Sequence, residues 1–139
     1  MLELAYGGTP KEKPLEWMGS SLDAIRDVPE DVKDEFGFAL YEAQKGKMPK
    51  RAKPLSGVGG GVFEVVSDDD GSTYRAVYTA RLKWAIYVLH VFQKKSTKGI
   101  KTPKKEIDLI KSRLKDAIKH HEEKYEQKLK KKRDGPASR

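Results

Sequence analysis

The sequence predicts an α+β domain, and three observations carry that prediction. Apolar residues recur at helical spacing from Val32 to Ala43, then alternate at the period of strands from Val62 to Val91, and return to helical spacing from Ile107 to Ile118. A chain of 139 residues fits one such domain. Its 37% apolar residues suffice for a single core, and its 36% charged residues make a heavily charged surface.

The elements follow in order. Residues 1–12 mix Gly, Pro and charge without period and read as a flexible leader. Pro14–Trp17 reads as a short edge strand, since its proline cannot donate to a ladder. Ser20 or Ser21 is positioned to cap a short helix carrying Leu22 and Ile25. Pro29, followed by Glu30 and Asp31, opens a second helix with acids that suit its dipole. Val32, Phe36, Leu40 and Ala43 line its apolar flank beside Ala39, and Gly46 stops it. Lys47–Gly61 holds Pro49, Pro54 and four glycines, and reads as a loop. Val62–Val66, Thr73–Thr79 and Trp84–Val91 read as strands with short connections, one of them the acidic turn Ser67–Ser72. Their simplest arrangement is an antiparallel meander. A basic loop, Phe92–Thr102, leads to a last helix in which Thr102 caps, Pro103 stands in the first turn and Glu106 stands about where a capping-box partner should. Ile107, Ile110, Leu114 and Ile118 form its apolar stripe. The pattern fails past His121, so the domain is placed at residues 13–119 and residues 120–139 are read as a charged helical extension with a disordered tail at Asp134–Arg139.

Several classes are excluded. The chain has no cysteine, hence no disulfide framework, thiolate zinc site, iron–sulfur cluster or cysteine nucleophile. The longest apolar run, Trp84–Phe92, is too short to span a bilayer, and no signal-like segment opens the chain. A soluble cytoplasmic protein with no membrane partner is therefore expected. No metal-ligand spacing involves the three histidines, so neither metal nor cofactor is expected. Gly57–Gly61 precedes a strand instead of opening a helix, which rules out a dinucleotide fingerprint.

Charge is unevenly placed. Residues 1–93 carry 12 Lys/Arg against 14 Asp/Glu, whereas residues 94–139 carry 17 against 7. Such asymmetry points to a polyanionic partner, with a solvated lysine-rich helix as the plainer alternative. Two basic runs border the strands: Lys45, Lys47, Lys50, Arg51 and Lys53, then Lys94, Lys95, Lys98, Lys101, Lys104 and Lys105. Clusters of this kind bind phosphate backbones. Arg75, inside an apolar strand, either pairs with Glu64 across the hairpin or lies on the open sheet face where its planar fork clamps a phosphate. His90 is either a satisfied strand residue or a participant in chemistry.

The string also resembles the phage-derived branch of the RelE/HigB toxin family of type II toxin–antitoxin pairs. The resemblance rests on Trp17–Leu22, Val28–Val32, Phe36–Leu40, Ala52–Gly57, Val62–Glu64, Tyr74–Tyr78, Val88–Lys95 and Thr102–Ile107, and runs on through Arg113. It implies a compact RelE-like fold, with two N-terminal helices packed on a small antiparallel sheet and a long C-terminal helix. It implies a ribosome-dependent mRNA endoribonuclease in which a ribose 2′-hydroxyl attacks the adjacent phosphate without a metal. Carried over by motif, Arg75, Lys53, Lys94 and Lys95 fall at catalytic positions, with His90 a further candidate and no clear counterpart of the family's C-terminal tyrosine or histidine. Lys47, Lys50, Arg51, Lys98 and Lys101 are the RNA-binding candidates. The expected partners are the ribosome with its mRNA and a cognate antitoxin of helix-turn-helix type, in which case a toxin–antitoxin heterotetramer is one assembly to test. Two readings stay open beside it: a ParE-like gyrase inhibitor and a non-catalytic nucleic-acid-binding protein of phage origin.

Overall fold

A computed structural model describes residues 12–94 and 101–127. Most of the expected leader, Lys95, Lys98 and the tail from Asp134 lie outside the described residues. The elements run β1 (Leu15–Trp17), α1 (Ser21–Asp27), α2 (Glu30–Gln44), β2 (Ala52–Pro54), β3 (Val62–Asp69), β4 (Ser72–Thr79), β5 (Ile86–Lys94) and α3 (Lys104–His121), which passes into a π-helical turn at Glu122–Glu126. Among the described residues no helix is long and apolar enough to cross a membrane.

The strands form one sheet in the order β1-β5-β4-β3-β2. Strands β3, β4 and β5 make the expected antiparallel meander. Their hairpin closes at Asp69↔Ser72, with Asp70 at φ 49° and Gly71 at φ 81°. Both central residues are left-handed, as a tight hairpin turn requires, so Ser67, Asp68 and Asp69 are strand and not turn.

The sheet departs from expectation at its two edges. β1 runs parallel to β5, with Leu15↔Ile86 and Trp17↔Val88, so the sheet is mixed and not wholly antiparallel. The two helices that follow β1 carry the chain across the sheet before it returns. β2 lies inside the stretch read as a loop and pairs antiparallel with β3 through Ala52↔Val65 and Pro54↔Phe63. Its proline is tolerated because β2 is an edge, with no further strand to receive a ladder bond.

Each face of the sheet is covered by helix. On one face Val65, Ala76, Tyr78 and Val88 pack against Ile25 of α1 and Val32, Phe36 and Leu40 of α2. On the other, Val62, Val77, Tyr87 and Leu89 pack against Ile110, Leu114 and Ala117 of α3. Helix α2 ends as its glycine predicts: Gly46, at φ 83°, lets its own N–H reach the Ala43 carbonyl and the Lys47 N–H reach that of Glu42.

The α3 stripe differs from the expected one. Ile110, Leu114, Ala117 and His121 are buried, while Ile118 is 37% exposed. His121 is admitted because its Nε2 accepts the Trp84 N–H at 3.0 Å. The expected caps also differ: neither Ser20 nor Thr102 makes a capping bond, and Pro103 takes the N-cap position of α3. Beyond His121 the π-helical turn docks on β1, where Lys124 Nζ meets Glu16 Oε2 at 2.7 Å and the Tyr125 hydroxyl donates to the same oxygen.

Candidate active site

Strand register gathers the site. Paired residues share a face, and the face repeats every second residue. Lys53↔Glu64 and Glu64↔Val77 carry one row across the sheet, which Val77↔His90 extends to β5. Val66↔Arg75 and Arg75↔Phe92 make the next row, and Thr73↔Lys94 the third. Lys53, Glu64, Arg75, His90 and Lys94 therefore stand on the face that α3 covers, at the end where α3 begins.

Their burial is unusual for such charge. Glu64, Arg75, His90 and Lys94 are 5%, 3%, 9% and 7% exposed. Charged groups this deep need partners. Arg75 Nη1 donates to Glu64 Oε1 at 2.5 Å and to Thr102 Oγ1 at 3.4 Å. Lys53 Nζ lies 4.0 Å from the other carboxylate oxygen, Glu64 Oε2. Burial holds the Lys94 ammonium below the usual lysine range, with Arg75 and Lys53 pushing the same way and Glu64 opposing them. A groove of about 370 Å³ opens beside this cluster, with Lys53, Glu64, Lys101 and Thr102 in its wall.

His90 is held on both sides. Its Nε2 is 2.7 Å from Glu106 Oε1, and its Nδ1 is 3.3 Å from Arg113 Nη1. A guanidinium only donates, so Nδ1 is the acceptor and Nε2 carries the proton given to Glu106. The ring stacks on Phe92 at 4.6 Å between centroids. Burial lowers the pKa of His90, and Glu106 opposes the shift. Arg113 also donates to the Leu89 carbonyl at 2.9 Å and to Ser20 Oγ at 3.1 Å. Gly19 makes room for that guanidinium, since a Cβ there would stand 2.5 Å from Arg113 Nε.

The predicted residues thus divide. Lys53 and Lys101 line the groove, Arg75 is bound to Glu64 and Thr102 of its wall, and Lys94 and His90 stand on the same sheet face. Lys50 and Arg51 turn to the opposite face, where they border a separate hollow beside Glu35 and Phe38 of α2. Arg51 Nη1 lies 3.7 Å from Glu35 Oε2. Lys47 is exposed on the connection from α2, and Lys95 and Lys98 lie outside the described residues. The first basic run is therefore divided between the two faces of the sheet.

Thr102, Glu106 and Arg113 were missed as site residues. The signal available for two of them was helical spacing, because Glu106 and Arg113 are two turns apart on one flank of α3. Tyr125 belongs to the opposite end of α3, where its ring packs beside His121.

The Escherichia coli toxin RelE, solved as an arginine-substituted mutant in the free state, superposes with a TM-score of 0.51 at 17% identity, covering 77% of this chain and 98% of that one. Residues 23–115 match the family described as Phage derived protein Gp49-like (DUF891). The chain belongs to this family, which is of the RelE/HigB toxin type. No curated protein sequence matches it significantly.

Proposed function

We propose that the chain is the toxin of a type II toxin–antitoxin pair and acts as a ribosome-dependent endoribonuclease. The observation that carries this reading is a groove of a RelE-like sheet walled by Lys53 and Lys101, with Arg75 bound to two further wall residues, Glu64 and Thr102. Attack of a 2′-hydroxyl on its phosphate builds negative charge on the phosphorane oxygens. Preorganised cations in a partly dry site stabilise that charge far better than water does. Arg75, fixed by Glu64 and Thr102, and the buried Lys94 are assigned to the phosphorane. Lys53, half-exposed at the groove wall, is assigned to the leaving-group side, and Lys101 to the RNA backbone. Lys95 and Lys98 continue the same basic run in sequence and are assigned with it. His90, with both ring nitrogens engaged, is assigned to holding β5 on α3 and not to proton transfer.

The partners in this reading are the ribosome with its mRNA and an antitoxin that neutralises the chain. Induction of the chain alone in bacteria, followed by primer extension on an abundant mRNA and on a translation-blocked copy, tests it. New 5′ ends on the translated copy alone are expected. Growth arrest with DNA damage and intact mRNA would transfer the case to a gyrase inhibitor.

A further inference from the structure

The reading above, on which this inference rests, leaves the reaction without a proton acceptor. A 2′-hydroxyl must lose its proton as it attacks. Among the described residues of the groove, Lys53 and Lys101 present ammonium groups, which donate and do not accept. Arg75 likewise only donates, and both nitrogens of His90 are bound to Glu106 and Arg113. Among the described residues Glu64 is the sole carboxylate in the groove wall.

Its placement suits more than pairing. Arg75 Nη1 donates to Oε1 at 2.5 Å and so holds that oxygen in place. Oε2 stands 4.0 Å from Lys53 Nζ, beyond hydrogen-bond reach.

We propose that Glu64 is the general base of the cleavage. Its carboxylate takes the 2′-hydroxyl proton while the 2′-oxygen bonds to the adjacent phosphorus. The P–O5′ bond breaks, the 5′-oxygen takes a proton from the Lys53 ammonium, and a 2′,3′-cyclic phosphate remains. Glu64 returns its proton to Lys53 through solvent, so the proton lost at one hydroxyl is gained at the other.

The test is Glu64→Gln, whose amide oxygen still accepts from Arg75 but takes no proton. Purified wild type and variant are mixed with mRNA-programmed ribosomes, and single-turnover cleavage and binding are measured separately. Cleavage at least about 100-fold slower, with binding within about threefold of wild type, is expected. A variant that cleaves within about threefold of wild type overturns the proposal, as does a loss of binding that accounts for the whole loss of rate. Should Glu64→Gln fail to fold, Glu64→Asp decides, because it keeps the charge and retracts it. A rate about tenfold lower then supports the base, and an unchanged rate overturns it. A wild-type chain that cleaves nothing overturns the endoribonuclease reading itself, and this inference with it.

Discussion

Under α1 and α2 the sheet buries Val65, Ala76, Tyr78 and Val88 against aliphatic and aromatic side chains, whereas under α3 it buries Glu64, Arg75, His90 and Lys94 beside its apolar residues. The first face follows the ordinary logic of a core, in which each apolar group removed from water adds stability. The second keeps charge where desolvation penalises it, and holds it there with Arg75–Glu64 and Glu106–His90–Arg113 contacts. One sheet thus carries an apolar core on both faces and, among the described residues, a buried charged cluster on one of them alone. Substitutions on the two faces should fail in different ways.

The largest effect is expected on the apolar face. Phe36, fully buried, should lose about 4 kcal/mol of unfolding free energy as Phe36→Ala, measured by urea titration. A loss under about 1 kcal/mol would mean that this face is not the core.

Next in size is the charged face. Arg75→Ala should abolish growth arrest and lower stability by about 3 kcal/mol, because Glu64 is left buried without its guanidinium. Adding Glu64→Ala should restore part of that stability without restoring arrest. Losses that simply add would show the two residues to be uncoupled.

A smaller effect comes from pH. Burial lowers the pKa of both His90 and His121 from the ordinary 6.5, against opposing pulls from Glu106 and Glu126. Below 6.5 the unfolded chain therefore binds more protons than the folded one. Stability is fully present above that value and drains as pH falls, by at most about 1.4 kcal/mol per pH unit for each histidine. Arg113 at His90 and Lys13 and His120 at His121 add to the shift. His121→Gln, which keeps an acceptor for the Trp84 N–H, should flatten the profile of urea midpoints between pH 7 and 5. Parallel profiles for variant and wild type would rule His121 out as a source.

The smallest effect sharpens the contrast within one helix. Phe38, two residues from Phe36, is 64% exposed, and Phe38→Ala should cost under about 0.5 kcal/mol in the same titration.

These contrasts also show what the residues disclosed. The long periodic elements, α2, the β3–β4–β5 meander and α3, were legible because their apolar spacing repeats. β1 and β2 have three residues each, too few for a period to show direction or even existence. Thr102 and Glu106 read as capping residues of α3, yet their side chains meet Arg75 and His90, partners remote along the chain. Ile118 has the spacing of a core residue, but Ala117 and His121 lie closer to the helix flank that faces the sheet. At the site, Arg75 offered two readings, and the structure has the pairing with Glu64, with the guanidinium buried on the face that α3 covers and not on an open one. Local pattern reveals which residues are inward. It does not reveal which distant side chain meets them.

The parallel pairing of β1 with β5 has a consequence for synthesis. Leu15 reaches its strand partner only when Ile86 has been made, and Arg75 gains its neighbour Phe92 later still. Thr102 and Arg113, which secure Arg75 and His90, emerge after both. Helices α1 and α2 leave the ribosome early, but the sheet they cover does not yet exist. Contacts of such long sequence separation form last in a growing chain. The cationic face is therefore assembled only after α3 has been made, later than the helices that cover the opposite face.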